Sequence, residues 1–178
     1  RLNQRVQKIT ADGVVINGQL LSSDLTVWTA GIKANAVQSN AKGVVLDERG
    51  RVIVDQTLQA QGAAGVYVLG DGASVTIGRN KPLPATAAIA IQEGDHAAHM
   101  IVRQIRGEKL TPFKPAFPGF VVPIGGKFAL STRHGIHGGF WAWVDRKMVD
   151  MQYFRSILPF WRAVDVWLRG ARLYLKND

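Results

Sequence analysis

The 178-residue sequence contains no cysteine, which excludes disulfides, thiolate metal sites and any thiol redox step carried by this chain. It contains no apolar run of about 18 residues, so no helix is expected to span a bilayer. Its opening, Arg1-Leu2-Asn3-Gln4-Arg5-Val6, holds neither an initiator methionine nor the apolar core of a signal peptide. The chain is therefore expected to begin inside a longer protein. No stretch has the G-x-G-x-x-G spacing of a dinucleotide phosphate loop; the glycines around Gly70 and Gly72, at Gly125-Gly126, and at Gly135, Gly138 and Gly139 all miss it.

Acidic residues are scarce beside basic ones, 13 against 22, for a formal charge of +9. Residues 1–78 carry a net +1, residues 79–134 a net +5 and residues 135–178 a net +3. A basic second half suits an anionic partner: nucleic acid, anionic lipid or a phosphorylated cofactor. No helix-turn-helix, zinc-finger or aromatic RNA-binding signature accompanies the charge, so no nucleic acid is expected.

What is present begins with turn signals. Asp12-Gly13 and Asn17-Gly18 lie between β-branched and apolar residues, which predicts a β-meander. It is expected to feed a buried strand, Leu25-Thr26-Val27-Trp28, that ends at Thr29-Ala30-Gly31. Residues 44–46 and 51–55 predict another short pair. Val66-Tyr67-Val68-Leu69 does not alternate, which suits a strand covered on both faces in a parallel sheet.

Pro84 is expected to open the strongest helix, running to Ile105. At helical spacing, Ala87, Ala90, Ile91, Gly94, Ala97, Ala98, Ile101 and Ile105 form the face expected to pack, with Gly94 allowing close approach to a strand. Ala88, Gln92, Asp95, His99 and Arg106 form the other. Residues 107–120, with Pro112, Pro115 and Pro118, read as a linker or irregular crossing. Strands are expected on either side of Ile124-Gly125-Gly126-Lys127.

Four of the five tryptophans fall in the last 38 residues, which divide at Pro159 into two helical segments. Phe140, Val144, Met148, Met151, Phe154 and Leu158 mark the face of the first. In the second, Phe160, Val164, Trp167, Leu168, Ala171 and Leu175 oppose Arg162, Asp165, Arg169, Arg172 and Lys176. Such a basic, tryptophan-bearing amphipathic helix suits a membrane interface, with Trp161, Arg162, Trp167, Arg169 and Arg172 as its contacts. His134 and His137 have no third ligand type close in sequence, and no metal is assigned.

Asp71, following Val66 to Gly70, is an acceptor-only group at the expected end of a strand, where α/β proteins bind ligands and where polyol hydroxyls can donate. The helix start near Thr86, Ala87 and Ala88 offers unpaired N–H groups and positive potential, which suits the anionic edge of a reduced flavin. An acid for a polyol followed by a proline and a helix start is a flavin-site layout.

Val27-Trp28-Thr29-Ala30-Gly31-Ile32-Lys33-Ala34, Thr57-Leu58-Gln59, Val66 to Asp71, and Pro84-Ala85-Thr86-Ala87-Ala88-Ile89-Ala90-Ile91-Gln92 together resemble the carboxy-terminal half of type II NADH dehydrogenases. The resemblance implies an α/β, Rossmann-like flavoprotein with two dinucleotide-binding domains. Residues 1–31 would end the nicotinamide domain, 32–110 would close the FAD domain, and 111–178 would form strands and membrane-associating helices. It implies FAD as cofactor, NADH as hydride donor and a membrane quinone as electron acceptor.

Carried over by position, Gly70 and Asp71 would meet the ribityl and phosphate region of FAD. Thr86, Ala87 and Ala88 would offer backbone contacts to the isoalloxazine, and Thr29-Ala30-Gly31 would lie between the two domains. Ala88, Gln92 and Lys127 would face the quinone, although Ala88 stands where the family has a glutamine. The resemblance further implies a peripheral, monotopic place on the cytoplasmic face of the cell membrane, an anionic lipid surface as partner, and a homodimer. Alternatives are a related FAD/NAD(P) oxidoreductase with a non-quinone acceptor, or an inert fragment that serves only as a membrane or protein interaction module. Sulfide:quinone oxidoreductase shares the architecture but works through cysteines, which this chain lacks.

Overall fold

A computed structural model describes residues 3–32, 43–77, 82–117 and 119–176, so Lys33 and Ala34 of the first resemblance motif lie outside the described residues. The side chains of Leu175 and Lys176 lie outside them too. The architecture is mixed α/β: a three-stranded meander, a small parallel pair with a long helix, and a second three-stranded sheet with two helices.

The meander is β1 (Val6–Thr10), β2 (Gly13–Ile16) and β3 (Gln19–Ser22), all antiparallel. Asn17 and Gly18 both take positive φ, 51° and 75°, and Ile16 faces Gln19 across them. That is the two-residue turn whose twist matches the flanking strands. The first turn is displaced from the expected dipeptide: Thr10 faces Gly13, so Ala11 and Asp12 make the turn. Gly13 has φ 141°, and a Cβ there would run into the Leu21 carbonyl.

The strand expected over Leu25 to Gly31 does not form. Leu25 is 79% exposed and Trp28 57%, and no described strand lies beside them. An extended apolar segment becomes a strand only when a neighbour takes its backbone hydrogen bonds. Val66 to Leu69 is a second correction. Only Tyr67 makes a bridge, antiparallel to Gln59, and Val66 is exposed. The parallel pairing comes after Asp71, between β4 (Val52–Ile53) and β5 (Ala73–Ser74).

The expected pairing near Asp47 to Gly50 is present: Leu46 bridges Val52, and Ile53 N–H donates to the Val45 carbonyl. Asp47 holds this turn, accepting from the backbone of Arg49 and Arg51 and forming an ion pair with the Arg51 guanidinium at 2.6 Å. The core beneath it is Val52, Val54, Leu58, Ala60, Ala73, Val75 and Phe113.

Helix α1 (Ala87–Ile105) starts three residues later than expected, because Thr86 is its cap: the Thr86 hydroxyl and carbonyl both accept from Ile89 N–H. Pro84 thus sits two residues before the cap instead of in the first turn. The packed face is also rotated from the expected one. Ile89, Glu93, Ala97 and Met100 are buried, while Ile105 is 80% exposed. Gly94 faces open space, so it is not the site of close approach.

The crossing over 107–117 is irregular, as expected, and lies along α1. Ala116 pairs with Gln92, His96 donates to the Thr111 carbonyl, and Phe113 enters the core.

Strands β6 (Val121–Gly125), β7 (Phe128–Ser131) and β8 (His137–Gly139) form an antiparallel sheet covered by α2 (Phe140–Ile157). Helix α3 (Phe160–Lys176) returns along α2 after the break at Pro159. The face expected for α2 is met in part: Val144, Met151, Phe154 and Leu158 are half-buried, but Phe140 and Met148 are exposed, and the buried residues are Ala142 and Lys147. Lys147 can lie inward because Asp150 is 3.4 Å from its ammonium and the Trp143 ring lies under it at 5.8 Å.

In α3 the inward residues are Ala163, Val164, Trp167, Gly170 and Ala171. Phe160 and Leu168, expected on that face, are exposed. Among the described residues no helix is long and apolar enough to cross a membrane.

Candidate functional site

Asp71 does not end a strand. It sits in a single 3-10 turn, Gly70–Gly72, between an extended segment and β5. Leu69 is extended, and Gly70 then takes φ 64°, which reverses the chain at low cost only for glycine. Gly72 is buried and Asp71 is exposed, so the turn drives one side into the core and presents the other.

The presented side faces a cleft of about 170 Å³ lined by Asp71, Arg49, Arg51, Ile32 and the segment Pro82 to Ala85 that leads into α1. The structure therefore brings Asp71 to the approach of the same helix start that the sequence analysis singled out. At that start the Ile89 and Ala90 N–H groups are taken by Thr86. Among the described residues the Ala87 and Ala88 N–H groups have no acceptor, and both residues are exposed.

This donor and acceptor set fits a flavin dinucleotide in its chemistry. An acid is offered to polyol hydroxyls, backbone N–H groups at a helix start to a carbonyl or anionic edge, and Arg49 and Arg51 to negative charge. Arg51 is largely committed to Asp47 and also reaches the Ser74 hydroxyl at 3.4 Å, which leaves Arg49 the freer cation by geometry. Asp47 is pulled up by its burial but held down more strongly by hydrogen bonds from Arg51, Ser74 and Arg49, and ends at about 2. It stays ionised and keeps Arg51 in place.

The remaining expected residues fall elsewhere. Ile32, next to Gly31, lines the cleft, whereas Thr29 and Ala30 are exposed and do not. Lys127 is an exposed residue in the turn between β6 and β7. Ala88 is at the helix start. Gln92 accepts from Ala116 N–H at 2.7 Å and donates to the carbonyls of Ala116 and Ala88 at 3.0 and 2.8 Å.

Of the expected membrane contacts, Trp161 is 80% exposed, and Arg162, Arg169 and Arg172 are exposed. Arg169 pairs with Asp165 at 2.9 Å. Trp167 is turned inward, its indole N–H donating to the Lys147 carbonyl at 2.7 Å.

Two groups were missed by sequence reasoning. Glu93 is 2% exposed and accepts the Gly70 N–H at 2.6 Å. Burial pushes its carboxyl up, the Gly70 N–H opposes this, and the charge of Asp71 adds to the rise. Its acidic type hid it, since a helix-face analysis assigns a glutamate to solvent. The second is Asp145, which the pattern left unremarked. It accepts from the Ser131 hydroxyl at 3.1 Å and meets His137 Nε2 at 3.2 Å. Among the described residues no group of three histidine, aspartate or glutamate side chains is placed to hold a metal.

Residues 1–94 match the family described as pyridine nucleotide-disulphide oxidoreductase. A type II NADH:quinone oxidoreductase of Staphylococcus epidermidis is 36% identical over 126 residues, covering 68% of this chain and 31% of the relative. A protein of the same name from Staphylococcus haemolyticus is 31% identical over 119 residues, 66% of this chain and 29% of the relative. One from Staphylococcus aureus is 34% identical over 109 residues, 60% and 26% respectively. The chain thus spans less than a third of the length of the curated relatives it matches. By this match over more than half its length, the chain belongs to the pyridine nucleotide-disulphide oxidoreductase family, and its likeness within that family is to the type II NADH dehydrogenases.

Proposed function

We propose that this chain forms the flavin-facing part of an FAD-dependent NADH:quinone oxidoreductase. The observation that carries the reading is the shared cleft of Asp71 and the Pro82 to Ala85 approach to α1. When bound, FAD would take a hydride from NADH and a proton from solution, then return two electrons and two protons to a quinone as quinol.

The chain's own residues have distinct tasks in this reading. Asp71 accepts from ribityl or ribose hydroxyls, which must donate. Thr86 caps α1 and so leaves the Ala87 and Ala88 N–H groups for the isoalloxazine, where positive potential stabilises negative charge gained on reduction. Ile32 borders the cofactor where Thr29-Ala30-Gly31 come in from the nicotinamide side, and Ala88, Gln92 and Lys127 border the quinone.

The parent protein would lie on a membrane surface through α3. Arg162, Arg169 and Arg172 occupy the face opposite the buried one; Trp161 and Leu168 flank them on one side, Val166 and Leu173 on the other. A second reading, the same cofactor chemistry with a non-quinone acceptor, is favoured by one observation. The Gln92 amide is already bonded to Ala116 through both its oxygen and its nitrogen.

The test is spectroscopic and uses the intact protein. NADH is expected to bleach the bound flavin and a soluble quinone analogue to restore its absorbance. Flavin that NADH does not bleach overturns the function; bleached flavin that only a non-quinone acceptor restores selects the second reading.

A further inference from the structure

The Gly70–Gly72 turn has an inner and an outer side. Outward, Asp71 enters the cleft. Inward, the Gly70 N–H meets the Glu93 carboxylate at 2.6 Å, from the second turn of α1. Gly70 sits close against that helix: a Cβ at Gly70 would stand 3.5 Å from the Ala90 Cβ. The space between turn and helix, lined by Gly70, Ala73, Val75, Thr86, Ile89 and Glu93, amounts to only about 10 Å³.

An apolar side chain would fill the position of Glu93 without the cost of desolvating a carboxylate. It would also leave the inward-pointing, part-buried Gly70 N–H without its acceptor, which is itself costly. No other group accepts that N–H among the described residues.

We infer that Glu93 is a positioning residue for the cofactor contact: by holding the Gly70 N–H it fixes the turn and thereby the place at which Asp71 meets FAD. The inference rests on the reading of Asp71 as an FAD contact. What it requires of residue 93 is an acceptor oxygen at the right reach; the negative charge is incidental. Glutamine keeps both reach and acceptor while removing the charge. Aspartate keeps the charge and withdraws the oxygen by one methylene.

The experiment compares Glu93→Gln, Glu93→Asp and Asp71→Ala in the intact protein, with two readouts. The first is FAD affinity by quenching of flavin fluorescence. Glu93→Gln is expected to stay within about threefold of the parent, and Glu93→Asp to bind about tenfold more weakly, the effect of one lost hydrogen bond. The second is hydrogen exchange of the Gly70 amide in FAD-free protein, slow in the parent and Glu93→Gln and fast in Glu93→Asp.

Weak binding by Glu93→Gln, with or without loss in Glu93→Asp, overturns the inference, as does equal binding by both variants. An unprotected Gly70 amide in the parent overturns it without any variant. If Asp71→Ala weakens FAD and Glu93→Asp does not, the inference alone fails. If Asp71→Ala, which removes the acceptor, leaves FAD affinity unchanged, the reading of Asp71 fails and the inference falls with it, whatever the Gly70 amide shows.

Discussion

The side-chain amide of Gln92 and the backbone of Ala116 form a reciprocal pair, one hydrogen bond of 2.7 Å in one direction and one of 3.0 Å in the other. A side chain thereby imitates one rung of a sheet and fastens the crossing over 107–117 along α1. Gln92→Ala is expected to destabilise the protein by about 1 kcal/mol, since the bonds are near the surface and water replaces part of what is lost. Urea midpoints measure it, and an unchanged midpoint would show that the crossing is held without this pair.

Asp47 sets an acid limit on stability. Its carboxyl lies at about 2 in the folded protein against an ordinary 3.8, so the folded state favours the ionised form. The contribution is fully present above about pH 4 and is lost as the pH falls toward about 2. From the size of the shift it is worth about 2 kcal/mol. Thermal melts of the parent and Asp47→Asn should therefore converge over that interval; a constant difference would contradict the assignment.

Glu93 has the opposite sign. Its carboxyl is raised in the folded state, so its contribution is fully present below the ordinary 4.5 and is lost as the pH rises through the raised value. Glu93→Gln should gain stability relative to the parent as the pH rises from acid to neutral. Parallel stability curves for the two proteins would refute this.

Trp167 docks α3 on α2 through the Lys147 carbonyl. Replacing it by phenylalanine keeps an aromatic ring but loses the N–H and part of the packed surface, which should cost about 1–2 kcal/mol. Alanine should cost about 3 kcal/mol or more. Limited proteolysis within α3 reports the undocking, and equal resistance of parent and alanine variant would place the docking elsewhere.

For the membrane surface, Arg162→Gln with Arg172→Gln is expected to weaken binding to phosphatidylglycerol vesicles by about 2 kcal/mol at low salt, at roughly 1 kcal/mol for each cation. The loss should shrink as salt rises. Vesicle binding that ignores both arginines and salt would remove α3 from that role.

The helix over Ala87–Ile105, the hairpin at Asn17-Gly18, the strands around Gly126-Lys127 and the break at Pro159 were legible in the sequence because each rests on neighbours a few residues away. The segments at Leu25 to Gly31 and Val66 to Leu69 were not, since an apolar extended run reads the same whether or not a partner strand lies beside it. The candidate site divides in the same way. Asp71 and the helix start were visible as motifs.

The sequence by itself determined the absence of cysteine chemistry, the basic second half, the turn and helix signals, and the acid that follows Gly70. Only the tertiary structure decided which face of α1 is buried, because the Gly70 N–H draws a glutamate into the core where periodicity alone favoured alanines and isoleucines. It also turned Trp167 inward and left Trp161 outside, a choice set by the reach of one indole N–H to a carbonyl on the neighbouring helix. Both decisions come from pairing between groups far apart in the chain, and a pattern read along one strand of sequence carries no term for that.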